Sequence, residues 1–162
     1  MNRAYLVTGS NMGNREQYLA KARNLIAEYA EIIQASSIYE TAAWGKTDQR
    51  SFLNQALEIS TPMDPDRLMK SLLLTEKTIG RVREVKYGER VIDIDIIFFN
   101  DLVQRSSSLK IPHPEMQNRR FVLAPLYEIA PEIIHPVIRK TVATLLEDCP
   151  DPLLVRRTGG VE

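Results

Sequence analysis

Val91-Ile92-Asp93-Ile94-Asp95-Ile96-Ile97 alternates isoleucine with aspartate, and an extended chain turns successive side chains to opposite faces. Read as a strand over 91–99, the segment buries Ile92, Ile94 and Ile96 on one side and gathers Asp93 and Asp95 on the other. The two aspartate Cα atoms then lie about 6.5–7 Å apart. That is close enough to share one divalent ion or to hold two, whose separation in paired sites is about 3.5–4 Å. Carboxylate oxygens of this kind suit magnesium. The plainer alternative is a half-exposed strand with two solvated charges. Against it, aspartate is a poor strand former, and conflicts between residue type and local structure gather at functional sites.

The rest of the chain can be placed around this strand. Residues 4–8 form a short apolar run ended by Gly9-Ser10-Asn11, a strand leaving its sheet through a turn. Asn14 and Gln17 make a capping pair, and Leu19, Ala22, Ile26 and Ala30 line one face of a helix that the spacing carries to about Glu31. β-Branched and aromatic residues return over 32–39 and again over 52–59, two strands expected to pair antiparallel. Asp64-Pro65 opens a second helix, Leu68, Leu72 and Ile79 face its core, and Gly80 ends it. Residues 81–90 have no period and read as a basic loop. Two short helices are expected at 122–129 and 141–146, among prolines at 131, 136, 150 and 152. The order strand, helix, strand, strand, helix, strand predicts an α/β (α+β) fold: a ferredoxin-like βαββαβ core with a mostly antiparallel sheet. Both helices would lie on one face, and the C-terminal helices would cover the other.

Composition limits the function classes. The 162 residues suit one domain spanning 1–162, and 44% hydrophobic with 26% charged residues is the balance of a packed globular chain. Lys plus Arg equal Asp plus Glu at 21 each, so no overall positive field draws the chain to nucleic acid or to an anionic membrane. Cys149 is the only cysteine, which excludes an internal disulfide. The N-terminal apolar run is too short for a signal peptide, and no stretch reaches membrane-spanning length. A soluble, cytoplasmic protein is expected.

Anion binding must therefore be local. Arg81, Arg83, Lys86 and Arg90 precede the aspartate pair, and Arg119 and Arg120 follow Ile111-Pro112-His113-Pro114. Taken singly each is a solvated surface cation. Together with two metal-binding carboxylates they are the groups that neutralise a polyphosphate. No G-x-x-x-x-G-K-[ST] loop is present, so phosphate recognition would rest on metal and arginine. His113 sits between two prolines, where it can donate to a phosphate oxygen or simply bond the backbone. His135 receives no role, and the five methionines are packing residues. Trp44, Phe52 and Phe121 can stack a flat ring, although any single aromatic is more often core.

At this point the sequence resembles the 6-hydroxymethyl-7,8-dihydropterin pyrophosphokinase family over nearly its whole length. The resemblance is carried by Lys86-Tyr87-Gly88-Glu89-Arg90 leading to Asp93-Ile94-Asp95-Ile96-Ile97. It is supported by Gly9-Ser10-Asn11, Phe52-Leu53-Asn54, Gly80-Arg81-Val82-Arg83, Pro112-His113-Pro114-Glu115-Met116 and Asn118-Arg119-Arg120-Phe121. It implies transfer of pyrophosphate from ATP to the hydroxymethyl group of the pterin, with release of AMP, in folate biosynthesis. Two Mg2+ ions would be held by Asp93 and Asp95. The nucleotide would be held by Glu76, Arg83, Tyr87, Arg90, Ile96, His113 and Arg119. The pterin would lie among Thr41, Ala42, Trp44, Phe52, Asn54, Asp93 and Phe121, while Arg81 and Arg90 act with the aspartates in catalysis. ATP and 6-hydroxymethyl-7,8-dihydropterin are the expected partners of a monomer. Tyr87, Trp44, Phe52 and Glu89 depart from residues common in the family but, Glu89 apart, keep apolar or aromatic character.

Two other readings stand beside this one. A different metal-dependent phosphoryl or nucleotidyl transferase would keep the aspartate pair but lack a pterin pocket in reach of Asp93. A non-catalytic ferredoxin-like module would bind RNA or a small regulator, and the balanced charge and lack of aromatic RNA-binding strands argue against RNA.

Overall fold

The computed structural model describes residues 1–41, 49–81 and 89–158. Strand β1 (Asn2–Ser10) leads to helix α1 (Arg15–Ile26), which Asn14 caps by accepting the Gln17 amide at 3.1 Å. The helix ends one turn before the expected Glu31. The Ala30 amide still bonds the Ile26 carbonyl, so apolar spacing outlasts the helix, and Glu31 instead opens a strand. The expected strand over 32–39 is divided into β2 (Glu31–Ala35) and β3 (Tyr39–Thr41), both antiparallel to β4 (Phe52–Thr61). The division falls at Ser36, whose amide and hydroxyl bond Ala56 and Ser37 rather than continue the ladder.

Helix α2 (Pro65–Ile79) runs between the predicted punctuation marks. Asp64 accepts the Arg67 amide at 2.8 Å, and Gly80 closes the C-terminus at φ 121°, a conformation that favours glycine. Strand β5 (Asp93–Phe99) follows. The central order is β5-β1-β4, with β2 and β3 both along the far edge of β4. This is the split βαββαβ arrangement expected from the sequence. Helices α1 and α2 cover one face over a core containing Leu6, Leu19, Ile26, Leu57, Leu68, Leu72, Ile94 and Ile96.

The second face carries Tyr5, Val7, Ala56, Ile97 and Phe98. A register shift opposite Tyr5 and Leu6 accounts for Ile97 and Phe98 sharing this face despite being neighbours in sequence. Beyond β5, two short strands β6 (Gln104–Arg105) and β7 (Lys110–Ile111) form a hairpin, and a 3-10 turn occupies Met116–Asn118. Helices α3 (Arg120–Ile129) and α4 (Val142–Glu147) then cover the second face. Thr141 caps α4 by accepting the Thr144 amide. A last strand, β8 (Val155–Arg157), adds antiparallel to β3.

Candidate active site

Register brings the expected groups to one end of the sheet. Asp93 stands opposite Gly9, and Gly9 stands opposite Asn54. Directly opposed residues in antiparallel strands share a face, so Asp93, Asn54 and the intervening glycine form one row toward α3. Two strand spacings put the outer Cα atoms about 10 Å apart. Gly9 is needed there because a Cβ at this position would lie 2.6 Å from Asn54 Nδ2. The Asn54 side chain can thus lean across β1, where its Nδ2 donates to the Thr8 carbonyl at 3.2 Å. Its Oδ1 is buried and has no hydrogen-bond partner among the described residues, and a buried acceptor left open is costly unless something binds it.

Asp93 and Asp95 lie on this face, as the alternation required. Both oxygens of Asp93 meet arginine: Arg81 Nη1 donates to Oδ1 at 2.6 Å, and Arg90 Nη1 approaches Oδ2 at 3.5 Å. Arg81 is only 8% exposed and also pairs with Glu76 Oε1 at 3.2 Å. Glu76 interrupts the apolar core face of α2 and is 2% exposed; its Oε2 accepts the Ile94 amide at 2.7 Å. In this structure Glu76 therefore ties α2 to β5 and holds Arg81. The sequence reading reached Glu76 only through the family resemblance; its place on the buried stripe between Leu72 and Ile79 is the signal that could have marked it as more than a surface charge.

Among the described residues, Asp95 sits beside this cluster without an arginine paired to it. Burial first, and then the charges of Asp93 and Glu76, push its carboxyl far above the ordinary range; Arg119 and Arg81 oppose the shift. The carboxylate form of Asp95 thus needs added positive charge. Magnesium is ordinarily held by one or two carboxylates, with substrate phosphates and waters completing its shell. Among the described residues no group of three or more His, Cys, Asp or Glu side chains forms a closed metal cage. The open two-carboxylate donor set fits an ion brought in with a polyphosphate.

A cavity of about 230 Å³ opens beside Asp95, with Ile96, Ser108, Lys110 and His113 in its wall. The β6–β7 hairpin thereby contributes Ser108 and Lys110, which the sequence reading missed because a two-residue strand has no readable period. The His113 amide donates to the Ile97 carbonyl at 3.1 Å, and its Nδ1 accepts the Glu115 amide at 3.2 Å. Burial, aided by Arg119, lowers His113 to about 4, so the ring is neutral at pH 7. With Nδ1 accepting, its proton resides on Nε2.

The remaining sequence-selected residues are placed as follows. Phe52 lies two residues before Asn54 on the same face of β4 and opposite Thr41. Thr41 is buried, and its hydroxyl donates to the Leu154 carbonyl at 3.1 Å. Phe121 stands in the first turn of α3, with the Arg119 guanidinium 5.9 Å from its ring centroid. Arg120 does not join the cations near Asp95. Its amide and guanidinium bond Asp151 and the Cys149 carbonyl, because the start of α3 sends neighbouring residues in different directions. Ala42, Trp44, Arg83, Lys86 and Tyr87 lie outside the described residues.

Asn11 was read as a turn residue and as part of a motif supporting the resemblance, with no role of its own, yet it is completely buried at the end of β1. Its Oδ1 accepts the Arg90 amide at 2.7 Å, and its own amide donates to the Arg90 carbonyl at 3.0 Å. Its Nδ2 reaches Gln49 Oε1 at 3.2 Å and the Arg50 carbonyl at 3.1 Å.

Comparison with known proteins identifies the family. Residues 5–131 match the family described as 7,8-dihydro-6-hydroxymethylpterin-pyrophosphokinase (HPPK). The chain is 43% identical over 140 residues to the 2-amino-4-hydroxy-6-hydroxymethyldihydropteridine pyrophosphokinase of Aquifex aeolicus, covering 86% of this chain and 88% of that protein. It is 44% identical over 134 residues to the protein of the same name from Bacillus subtilis, covering 82% and 80%. Among solved structures, Plasmodium falciparum HPPK-DHPS, wild type with SDX-DHP, superposes with a TM-score of 0.72 at 20% identity. That match covers 91% of this chain but 43% of the Plasmodium chain, so this sequence spans less than half of the larger protein and the likeness speaks to fold.

Proposed function

This chain belongs to the 7,8-dihydro-6-hydroxymethylpterin-pyrophosphokinase family, and on that premise we propose that it moves pyrophosphate from ATP to the hydroxymethyl oxygen of 6-hydroxymethyl-7,8-dihydropterin in folate biosynthesis. The hydroxymethyl oxygen attacks the β-phosphorus, the bond from that phosphorus to the oxygen shared with the α-phosphorus breaks, and AMP leaves. The row Asp93–Gly9–Asn54 carries the reading. It sets an open buried acceptor, suited to an N–H on the pterin edge, about two strand spacings from the carboxylates beside which a triphosphate would lie.

Asn54 Oδ1 would fix the pterin edge, with Phe121 and Phe52 packing on the ring and Thr41 shaping the wall through its bond to Leu154. The cavity beside Asp95 would take the nucleoside, with Ile96 against the base and Lys110, His113 Nε2 and Arg119 toward its polar groups. Asp93 and Asp95 would hold two Mg2+ ions, which supply charge neutralisation for the phosphates and acidify the attacking hydroxyl. Arg81 and Arg90 already meet Asp93; as substrate and metal enter, their donors become available to the transferred phosphates, with Glu76 retaining Arg81 nearby. Ala42, Trp44, Arg83 and Tyr87 keep the roles expected from the family resemblance. The assigned groups come from a single chain, so a monomer of one pyrophosphokinase domain suffices. No helix among the described residues is long and apolar enough to cross a membrane, and a cytoplasmic enzyme accords with its substrates.

The test is incubation with ATP, magnesium and 6-hydroxymethyl-7,8-dihydropterin, with separation of the adenine nucleotides and the pterins. AMP and pterin diphosphate in equal amounts are expected. ADP in place of AMP would reassign the reaction to single phosphoryl transfer, and nucleotide binding without turnover would move the chain to another acceptor.

A further inference from the structure

We infer that a second cavity, across the Lys110–Pro114 segment from the nucleotide cavity, binds a small organic carboxylate that competes with the nucleotide for Lys110. The competition rests on the nucleotide placement proposed above; the site itself does not. The cavity has a volume of about 310 Å³, at the small end of the range for ligand pockets. Three pieces of chain enclose it: the β6–β7 hairpin, the segment that runs on through the 3-10 turn, and the turn over 135–140 between α3 and α4. Lys110, His113 and Pro114 belong to the walls of both cavities and so form the partition between them.

The first mark of a ligand is an unrelieved charge. Arg105 and Lys110 stand directly opposite each other in the hairpin register, which puts two cations on one face with Cβ atoms about 4.5–5.5 Å apart. Like charges so placed destabilise a strand pair. Among the described residues neither cation joins an ion pair, and no Asp or Glu lines the cavity. An anion held between them removes the conflict.

The second mark is His135. Its ring is 5% exposed and packs edge-on to Phe98, with centroids 6.0 Å apart. The turn that carries it is closed by the His135 amide on the Lys140 carbonyl and the Arg139 amide on the His135 carbonyl, both at 2.9 Å. Nδ1 accepts the Val137 and Ile138 amides at 3.1 and 3.0 Å. Burial lowers the pKa of the ring, so at pH 7 it is neutral and its one proton resides on Nε2. That N–H has no acceptor among the described residues, yet it is not sealed in. The fully enclosed side-chain atoms without a partner belong to Asn54, Arg81 and Gln117, and the space that the His135 ring lines is this cavity. A fixed donor left open in a buried ring calls for an acceptor oxygen.

The walls select the body of the ligand. Ile111, Pro112, Val137 and Ile138 supply apolar surface beside these groups, which an inorganic anion would leave bare. A carboxylate can give one oxygen to an imidazole N–H and the other to a cation, while its hydrocarbon body covers the apolar wall. Lys110 cannot turn its ammonium into both cavities at once. Each ligand therefore weakens the other, and by the same factor.

The test follows the backbone amide NMR signals of the full chain during titration with phenylacetate. Shifts are expected at Val137 and Ile138, whose amides bond the ring that receives the ligand, with a Kd on the order of 1 mM for a ligand of so few atoms. 2-Phenylacetamide lacks the charge and inorganic phosphate lacks the body, so each is expected to bind at least about 10-fold more weakly. His135→Asn keeps an acceptor for the turn amides but removes the ring N–H, and is expected to weaken phenylacetate about 10-fold. If that variant does not fold, Val137→Trp decides. The Val137 side chain is 44% exposed, so a larger ring there blocks the cavity without entering the core. It is expected to abolish the shifts at Ile138 while AMP production stays at the wild-type rate. Saturating phenylacetate is expected to weaken calorimetric binding of magnesium α,β-methylene-ATP to the wild-type protein by about 5-fold, and to have no such effect in Lys110→Gln. Phenylacetate that binds no better than the two controls, shifts that persist in Val137→Trp, or an unchanged affinity for the analogue overturns the inference. The two readings fail separately: wild-type protein that neither binds the analogue nor makes AMP removes the nucleotide placement, and the phenylacetate shifts still decide the site.

Discussion

Glu58 and Asp95 are carboxylates on the same face of one sheet, near opposite ends, and they are settled in opposite ways. Glu58 is 5% exposed. Burial alone would raise its pKa, but donors from Gln34, Arg3 and Tyr5 together outweigh burial and bring it below the ordinary carboxylate range. Its partners come from β1 and β2 and are present as soon as the chain folds. Asp95 receives repulsion from Asp93 and Glu76 and has only partial relief from Arg119 and Arg81. One carboxylate is satisfied by the fold and strengthens it; the other is left by the fold without enough positive charge, as the proposed metal role requires. Burial alone therefore does not separate a structural acid from a catalytic one, whereas the balance of its partners does.

The largest break in this comparison should come from Asp95→Ala. Turnover is expected to fall by on the order of 10³-fold, with a far-ultraviolet circular dichroism spectrum like that of wild type. Near-normal turnover would remove Asp95 from the metal site. Asn54→Ala should come next, because it deletes a buried acceptor that folding leaves open. The KM for the dihydropterin is expected to rise by about 10- to 100-fold with little change in nucleotide affinity. Equal losses for both substrates would contradict the assignment of Asn54 to the pterin side.

Glu58→Gln should do the reverse, retaining turnover and losing about 1–2 kcal/mol of stability at pH 7 in denaturant titration. The pH dependence follows from the direction of the shift. Because the folded pKa of Glu58 lies below its unfolded value, its contribution is complete above about 4.5 and is lost as pH falls through the folded value. The variant should flatten that acid limb, and an unchanged limb would show that Glu58 is not held as an anion. The smallest expected effect sharpens the contrast. In the presence of EDTA, Asp95→Asn should gain about 1 kcal/mol, or roughly 2–4 °C in melting temperature, since the anion is unfavourable in the metal-free fold. Magnesium with nucleotide should erase that advantage. A destabilised metal-free variant would mean that Asp95 is already compensated.

The legible parts of this sequence were those with a repeated period or a chemical stop signal. Strand β5 announced itself through alternating isoleucine and aspartate, and α2 through Asp64-Pro65 at one end and Gly80 at the other. Helix α1 was read too long because Ala30 keeps both the apolar spacing and its bond to Ile26 after the helix has loosened. Strands β6, β7 and β8 are two or three residues long, so pairing partners rather than local pattern define them. The same limit applies to the site. Two aspartates in a strand are conspicuous, whereas a single asparagine after Gly-Ser reads as an ordinary turn residue, and its four bonds reach 38 to 79 positions away. Arg119 and Arg120 are indistinguishable as neighbouring cations until α3 starts between them and sends one toward Asp95 and the other to Asp151.

Strand β8 bears on self-association. Tyr39–Thr41 would otherwise present an open row of amides and carbonyls along the sheet margin, a template onto which another polypeptide can polymerise. The chain blocks that template with its own Val155–Arg157, secured by the Arg156–Glu40 ion pair and by Thr158 bonding the Ile38 carbonyl. The new margin is only three residues long and carries two arginines, which repel a like strand and shorten any register it could adopt. Strand β8 therefore acts as a guard against edge-to-edge aggregation, a service to the fold separate from the role proposed for Asp93 and Asp95.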